Sequence, residues 1–474
     1  MTRNADDVWQ LVDRRQEAYA AFSDKIWSMP ELNFAEHRSA AEHAAMLRCE
    51  GFRVTERVAG IPSAVMGEAG DRGPVIAFLG EFDALPGLSQ AAGVAEHRPL
   101  EQNGPGHGCG HNLLGAGSLL AAAAMKDWLA GHGLPGRVRY YGCPAEEGGA
   151  GKAFMARDGA FRDVDIAISW HPAAFSGVNP AKSLACQQID FAFTGRASHA
   201  AVAPHLGRSA LDAVELMSVG VNYLREHMPG DARIHYAYLN AGGIAPNVVQ
   251  AEARVRYIVR SLGTADLLDL VERVRQVAVG AALMTGTQVQ SGVISAMSNL
   301  LNNEPLSRVM HGALERLGPV RFDDADRSFA RSIQGTLGVE AIASAHEKVG
   351  LDSADAPLAD RIVLQGTPGT SMLGSTDVGD VSWAVPTVQL NGAAFAVGTA
   401  YHSWQLTAQG TAPAAHKGML HAAKVMAGTA ADLLLDPALL QEAKAAHQAK
   451  LARTPFVSPL PADLPAPIGM AAPA

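Results

Sequence analysis

A thiol and two imidazoles lie within five residues in the stretch Gly106-His107-Gly108-Cys109-Gly110-His111-Asn112, spaced by glycines and followed directly by the apolar run Leu113 to Met125. Glycine has no side chain and reaches backbone angles closed to other residues, so this loop can turn tightly and aim Cys109 and His111 at one point. No hydrophobic core requires that arrangement, and a metal ion is its natural occupant. A cysteine beside an apolar helix is, on its own, more often a small core residue. The metal reading therefore depends on what else the chain brings to the same place.

Helical spacing runs over Val8 to Met29, ending before Pro30, and over His37 to Glu50, ending at Gly51. Strand-like pieces follow at Phe52 to Val58, Ser63 to Gly67, Val75 to Leu79, Arg137 to Tyr141 and Ile166 to Ser169, with a helix over Leu113 to Leu129. This alternation predicts an α/β fold with a mostly parallel sheet. Open α/β sheets bind ligands beyond the carboxyl ends of their strands. Three strands here end in reactive groups: Gly80-Glu81-Phe82-Asp83, Pro144-Ala145-Glu146-Glu147-Gly148-Gly149, and Trp170-His171-Pro172. Asp83 alone reads equally well as a turn or capping carboxylate. Adjacent carboxylates are costly without a positive neighbour. Successive side chains on extended backbone point opposite ways, so Glu147 can bind metal while Glu146 reaches a water.

From Cys186 the character changes to strand (Gln188 to Thr194), helix (Ser209 to Glu226), two strands (Arg233 to Asn240, Ala251 to Ser261), helix (Thr264 to Met284) and strand (Gln288 to Ala296). This βαββαβ order is that of a ferredoxin-like α+β sandwich. The expected organisation is a catalytic domain over residues 1–185 and 301–453, interrupted by an inserted lid or dimerisation domain over 186–300. A long helical stretch is expected from Ala414 to Ala449, then a Pro/Ala-rich tail over 454–474.

The net charge of -9, from 38 basic and 47 acidic residues, comes without a basic block and weighs against nucleic acid as a partner. Four cysteines spread along the chain are too few to staple it, which fits a reducing compartment. Met1 to Gln10 lacks an apolar signal-type core, and Leu113 to Met125 is shorter than the roughly 20 residues that span a bilayer. A cytoplasmic protein without membrane association is expected.

Cys109, His111, Glu147, His171 and His402, with Glu146 beside them, combine thiolate, imidazole and carboxylate in a set suited to Zn or Mn. Sites with two metals roughly 3.5 to 4 Å apart use five or six such groups. His37, His43, His97, His132, His227, His235, His346 and His447 read as surface residues, and His107 as a neighbour of the ligand set. A thiol hydrolase with Cys109 as nucleophile and His111 as its base is the mechanistic alternative. It leaves Glu146, Glu147, His171 and His402 without a role.

The motifs at Gly108 to Asn112, Pro144 to Gly149, Trp170 to Pro172, Gly195 to Ala201 and the late His402 resemble, in that order, the aminoacylase and carboxypeptidase superfamily of dinuclear metallohydrolases. Within its amidohydrolase branch, Cys143 to Lys152 and Ser375 to Trp383 are similar to members that cleave aroyl-glutamates. The likeness spans Val8 to Ala449. It implies metal ligands at Cys109, His111, Glu147, His171 and His402, with Cys109 shared between two divalent ions, Mn or Zn. It also implies a general base at Glu146 and a supporting carboxylate at Asp83. His199 matches a lid histidine that polarises the scissile carbonyl, often across a dimer, and Asn247 matches a substrate-contacting position. Taken alone, His199 reads as a surface loop residue and Asn247 as a turn residue after Pro246. Glu81 and Asn112 stand where relatives have aspartate.

The expected activity is hydrolysis of the amide of an N-acyl or N-aroyl amino acid such as p-aminobenzoyl-glutamate, by water activated at the metals with Glu146 as base. Alternatives are another amide, in a dipeptide or an indole-acetyl amino acid conjugate, or a non-catalytic role in a heteromeric hydrolase. Expected partners are the small-molecule substrate, a second copy of the chain held through the inserted domain, and a related subunit.

Overall fold

Eleven strands define two sheets in the structure, a computed structural model that describes residues 4–178, 183–349, 356–364 and 374–469. They are β1 Arg53–Glu56, β2 Val65–Ala69, β3 Val75–Glu81, β4 Arg137–Cys143, β5 Ile166–Ala173, β6 Gly177–Val178, β7 Ala185–Thr194, β8 Arg233–Asn240, β9 Glu252–Ser261, β10 Gln288–Met297 and β11 Thr387–Ala393. The larger sheet has the order β1-β2-β4-β3-β5-β11-β6. Its centre is parallel, with β3 between β4 and β5 and β11 beside β5. The outer strands β1, β2 and β6 join antiparallel.

β3 is buried at every position, as a strand covered on both faces must be. Its side chains alternate: Ile76 and Phe78 enter the core on one face, Val75, Ala77 and Leu79 the core on the other. The first core is filled by the helices His111–His132 and Pro413–Leu435, which pack against each other. The helix His111–His132 has the length and apolarity of a membrane span, yet its most apolar stretch is 83% buried inside the protein.

Two expected helices are interrupted. The first divides at Arg14-Arg15 into Val8–Asp13 and Gln16–Trp27. The C-terminal one divides at Asp436-Pro437 into Pro413–Leu435 and Pro437–Arg453, because proline cannot donate to the preceding turn and starts a new helix with Asp436 as its cap. The Pro/Ala-rich stretch that follows is anchored as far as it is described. Gln187 donates to the Pro459 carbonyl (2.6 Å), Arg157 to that of Leu464 (2.5 Å), and Leu460 is buried. Residues 470–474 of the expected tail lie outside the described residues.

The second sheet, β10-β7-β9-β8, is antiparallel throughout, with helices Ala210–Leu224 and Thr264–Thr285 packed on one face around Ile189, Phe191, Val255, Tyr257 and Val259. This is the βαββαβ sandwich order. From its other face Gln188 and Ser295 both donate to the Gly148 carbonyl, at 3.0 and 2.9 Å, which ties the sandwich to the turn that carries Glu146 and Glu147.

Three histidines expected at the surface are interior. His43 lies among Phe22, Phe82 and Tyr140, while His346 and His447 each satisfy one ring nitrogen with a carbonyl, of Ile342 and Ser382. One such bond satisfies the single N–H of a neutral imidazole, whereas both ring nitrogens of His43 are buried without a hydrogen-bond partner.

Candidate metal centre

Asp83, two residues past the end of β3 and 1% exposed, organises the centre. One of its oxygens accepts the Nδ1 proton of His111 (2.9 Å) and the other the backbone N–H of Glu147 (2.9 Å). It therefore fixes the His111 ring with Nε2 facing inward and sets the turn that presents Glu147. His111 opens the core helix because Gly110, with φ of 80°, turns the chain into it. The loop carrying His402 lies against the cysteine loop, the His402 backbone N–H donating to the Gly108 carbonyl (2.9 Å). His402 itself has φ of 59°, uncommon for a residue with a side chain.

These loops bring the five expected ligands together. Cys109 Sγ is 3.5 Å from His171 Nε2, whose Nδ1 is held by the Pro172 carbonyl (2.9 Å). Glu147 Oε2 is 3.1 Å from His402 Nε2, and Glu147 Oε1 is 3.9 Å from His111 Nε2. In each of two triplets, Cys109-His111-His171 and Cys109-Glu147-His402, the ligand atoms lie within 4.8 Å of one another. Cys109 belongs to both. His111 Nε2 and Glu147 Oε1 are buried without a hydrogen-bond partner. Orphaned acceptors in a site closed to water are costly unless a cation takes their lone pairs, and the mixed S, N and O donor set suits Zn or Mn. The residues fit a metal.

The charges divide the adjacent carboxylates. Burial, then the facing Glu81, Glu147 and Asp377, hold Glu146 well above the usual carboxylate range. Burial acts on Glu147 too, but the His402 and His111 imidazoles outweigh it and hold it down at about 2. One carboxyl has affinity for protons and its neighbour stays ionised, the division of roles expected of a base and a ligand. Burial, and then Glu147, push the Cys109 thiol well above its ordinary value against the pull of His111. A thiol nucleophile needs the reverse.

His107 points away from this cluster, to the Ile26 carbonyl (3.2 Å). Asn112 donates to Ser23 Oγ and to the Gly410 carbonyl, both at 3.0 Å. An ionised aspartate has no proton with which to make either bond.

Lys152 and Asp377 adjoin the cluster without belonging to the expected set. Lys152 is completely buried, its Nζ 2.7 Å from Glu81 Oε1 and 2.5 Å from Asp377 Oδ1. Asp377 Oδ2 accepts the backbone N–H of Lys152 (2.8 Å). The signal in the sequence is a lysine just past the glycine-rich turn, inside one of the two strings similar to the aroyl-glutamate branch, with Asp377 in the other.

His199 and Asn247 are brought to each other in the sandwich. The Ala200 N–H donates to the Asn247 carbonyl (2.9 Å), and His199 pairs with Val248. His199 Nδ1 accepts the backbone N–H groups of Ala201 and Val202, each at 3.2 Å, which leaves the proton on Nε2. Among the described residues, no hydrogen bond or ion pair joins either residue to the ligand cluster of the same chain.

Comparison with known proteins gives a consistent picture. The family model described as peptidase family M20/M25/M40 matches residues 77–402. One of the subunits of p-aminobenzoyl-glutamate hydrolase from Escherichia coli (strain K12) is 45% identical, over 98% of this chain and 99% of the relative. The Xaa-Arg dipeptidase of Mus musculus is 29% identical, over 93% of this chain and 91% of the relative. Among solved structures, a dinuclear metal binding peptidase from Bacillus subtilis shares the fold with a TM-score of 0.54 at 17% identity, covering 87% of this chain and 99% of that one.

Proposed function

The chain belongs to peptidase family M20/M25/M40 and is an amide-bond hydrolase, and from that premise we propose that it cleaves N-aroyl amino acids, p-aminobenzoyl-glutamate first among them. Two divalent ions, Mn or Zn, would be held by Cys109, His111, Glu147, His171 and His402. The observation that carries this reading is the sharing of Cys109 between two ligand triplets. The near full-length likeness to the Escherichia coli hydrolase component supports the aroyl-glutamate assignment.

When bound, the metals supply Lewis acidity toward the amide carbonyl and the attacking water. The remaining work falls to side chains. Glu146, with its raised proton affinity, takes a proton from the water and delivers it to the leaving amine. Asp83 keeps His111 and the Glu147 turn in place through the two hydrogen bonds described above. His199, with its proton on Nε2, donates to the developing oxyanion, and Asn247 contacts the substrate beside it.

The proposal includes a cytoplasmic homodimer joined through residues 186–300, with His199 of one protomer serving the site of the other. It also includes a related second type of chain, since the Escherichia coli relative is itself named as one component of a hydrolase with more than one kind of subunit. The test is a panel of aroyl-glutamates, indole-acetyl amino acids and dipeptides, assayed with the purified chain plus Mn or Zn. The highest kcat/KM is expected for an aroyl-glutamate. A panel led by dipeptides would reject the substrate assignment and favour the activity named for the Mus musculus relative.

A further inference from the structure

Glu81 is 1% exposed and its two oxygens are treated differently. Oε1 takes the Lys152 ammonium at 2.7 Å, whereas Oε2 is buried with no hydrogen-bond partner and lies 3.2 Å from His111 Nε2. His111 Nε2 has no hydrogen-bond partner either, so the short approach is not an N–H···O bond. With Nδ1–H given to Asp83 (2.9 Å), the neutral ring presents a lone pair at Nε2. Two lone pairs facing the same small space are what two ligands of one cation present. For metal–ligand bonds of about 2.1 Å at tetrahedral to octahedral angles, neighbouring ligand atoms stand about 3.0 to 3.4 Å apart, and the observed 3.2 Å falls within that span.

The charge count points the same way. Glu81, Asp377 and Lys152 form a fully buried set of two carboxylates and one ammonium. Within this set one negative charge is left over, and His111, 3.2 Å from Glu81, or a cation bound beside it is placed to balance it. Glu81, His111 and Glu146 also form a third group whose ligand atoms lie within 4.8 Å of one another.

We propose that Glu81 is a further metal ligand on the His111 side of the centre, and that Lys152, braced by Asp377, is the positioning residue that turns Glu81 Oε2 toward the ion. Lys152 is well placed for this, because its backbone N–H and its ammonium are both held by Asp377, so its side chain acts as a fixed strut. The inference rests on the metal reading above, and its test separates the two.

Crystals of the wild-type enzyme loaded with Mn2+ locate the ions by anomalous scattering. Glu81 Oε2 is expected within about 2.4 Å of the ion bound to His111. Ions seated on Cys109, Glu147 and the histidines with Glu81 beyond 3 Å, taken as a roughly defined limit of coordination, overturn this proposal and leave the dinuclear reading intact. Wild-type crystals with no ion at the cluster overturn both. In solution, Mn2+ titration of Glu81→Gln should show one of two ions weakened on the order of tenfold or more, with the other unchanged. Lys152→Met should weaken the same ion, and Lys152→Arg should recover part of the loss. A merely structural role would lower the thermal midpoint in chelator and leave the Mn2+-induced rise unchanged. The proposal expects that rise to shrink, and a rise equal to that of the wild type overturns it.

Discussion

Glu146 and Glu147 are neighbours in the chain with opposite affinities for a proton, and that difference is open to single substitutions. Glu146→Gln preserves shape but cannot take a proton from water. It should keep wild-type metal content while kcat falls by roughly 10^2 to 10^4, whereas His111→Ala or His171→Ala should lose metal and rate together. Near-normal turnover in Glu146→Gln would remove the base assignment. His43 gives a prediction about stability. Burial holds its imidazole down at about 3, while the unfolded chain protonates near the ordinary 6.5. Between those values the unfolded state binds more protons, so stability is full above pH 6.5 and declines as the pH falls, by up to about 1.4 kcal/mol per pH unit. His43→Leu should make the urea midpoint less dependent on pH between 7 and 5 by one proton's worth, and equal slopes in the two proteins would contradict this. Cys109, His111, Glu146 and Glu147 were legible in the sequence because short motifs pack several donors into a few positions. The pairing of Lys152 with Asp377 was not, because it spans 225 positions and leaves no local period. His43 was misplaced because its aromatic neighbours come from three distant stretches of the chain.

At the level of elements, β3 was readable as a short apolar run and the sandwich from its helix–strand order. What pairing adds was not. The antiparallel seating of β2 on β4 leaves the same side-chain alternation as a parallel one would. The break at Arg14-Arg15 carries no proline or glycine. At the break the Arg15 guanidinium bonds Glu50 and Asp127 from other parts of the chain and also the Leu11 carbonyl one turn back. The helix Pro413–Leu435 offers a test of how closely elements approach. A Cβ on Gly418 would stand 2.3 Å from the Ala393 carbonyl oxygen at the end of β11. Alanine gains about 1 kcal/mol of helix propensity over glycine, but a backbone oxygen cannot step aside as a side chain can. Gly418→Ala should therefore destabilise the fold by about 1 to 3 kcal/mol net. An increase in the denaturant midpoint would show that the helix can withdraw from the sheet.

For the whole molecule, the five candidate ligands come together within one chain, while His199 and Asn247 meet each other and, among the described residues, not the cluster. A second copy that supplies His199 accounts for both facts. Glu146→Ala and His199→Ala homodimers should each be nearly inactive. After random exchange of protomers about half the dimers are mixed, each with one intact site out of two, so about one quarter of wild-type activity should return. No recovery after verified exchange would confine His199 to its own chain. The most direct test of the whole account is metal content and p-aminobenzoyl-glutamate hydrolysis, measured together on the purified chain as isolated, stripped with chelator and reloaded with Mn2+. Close to two ions per chain, with the rate lost on stripping and regained on reloading, is the predicted result. Full hydrolysis by a chain that carries no metal would contradict it.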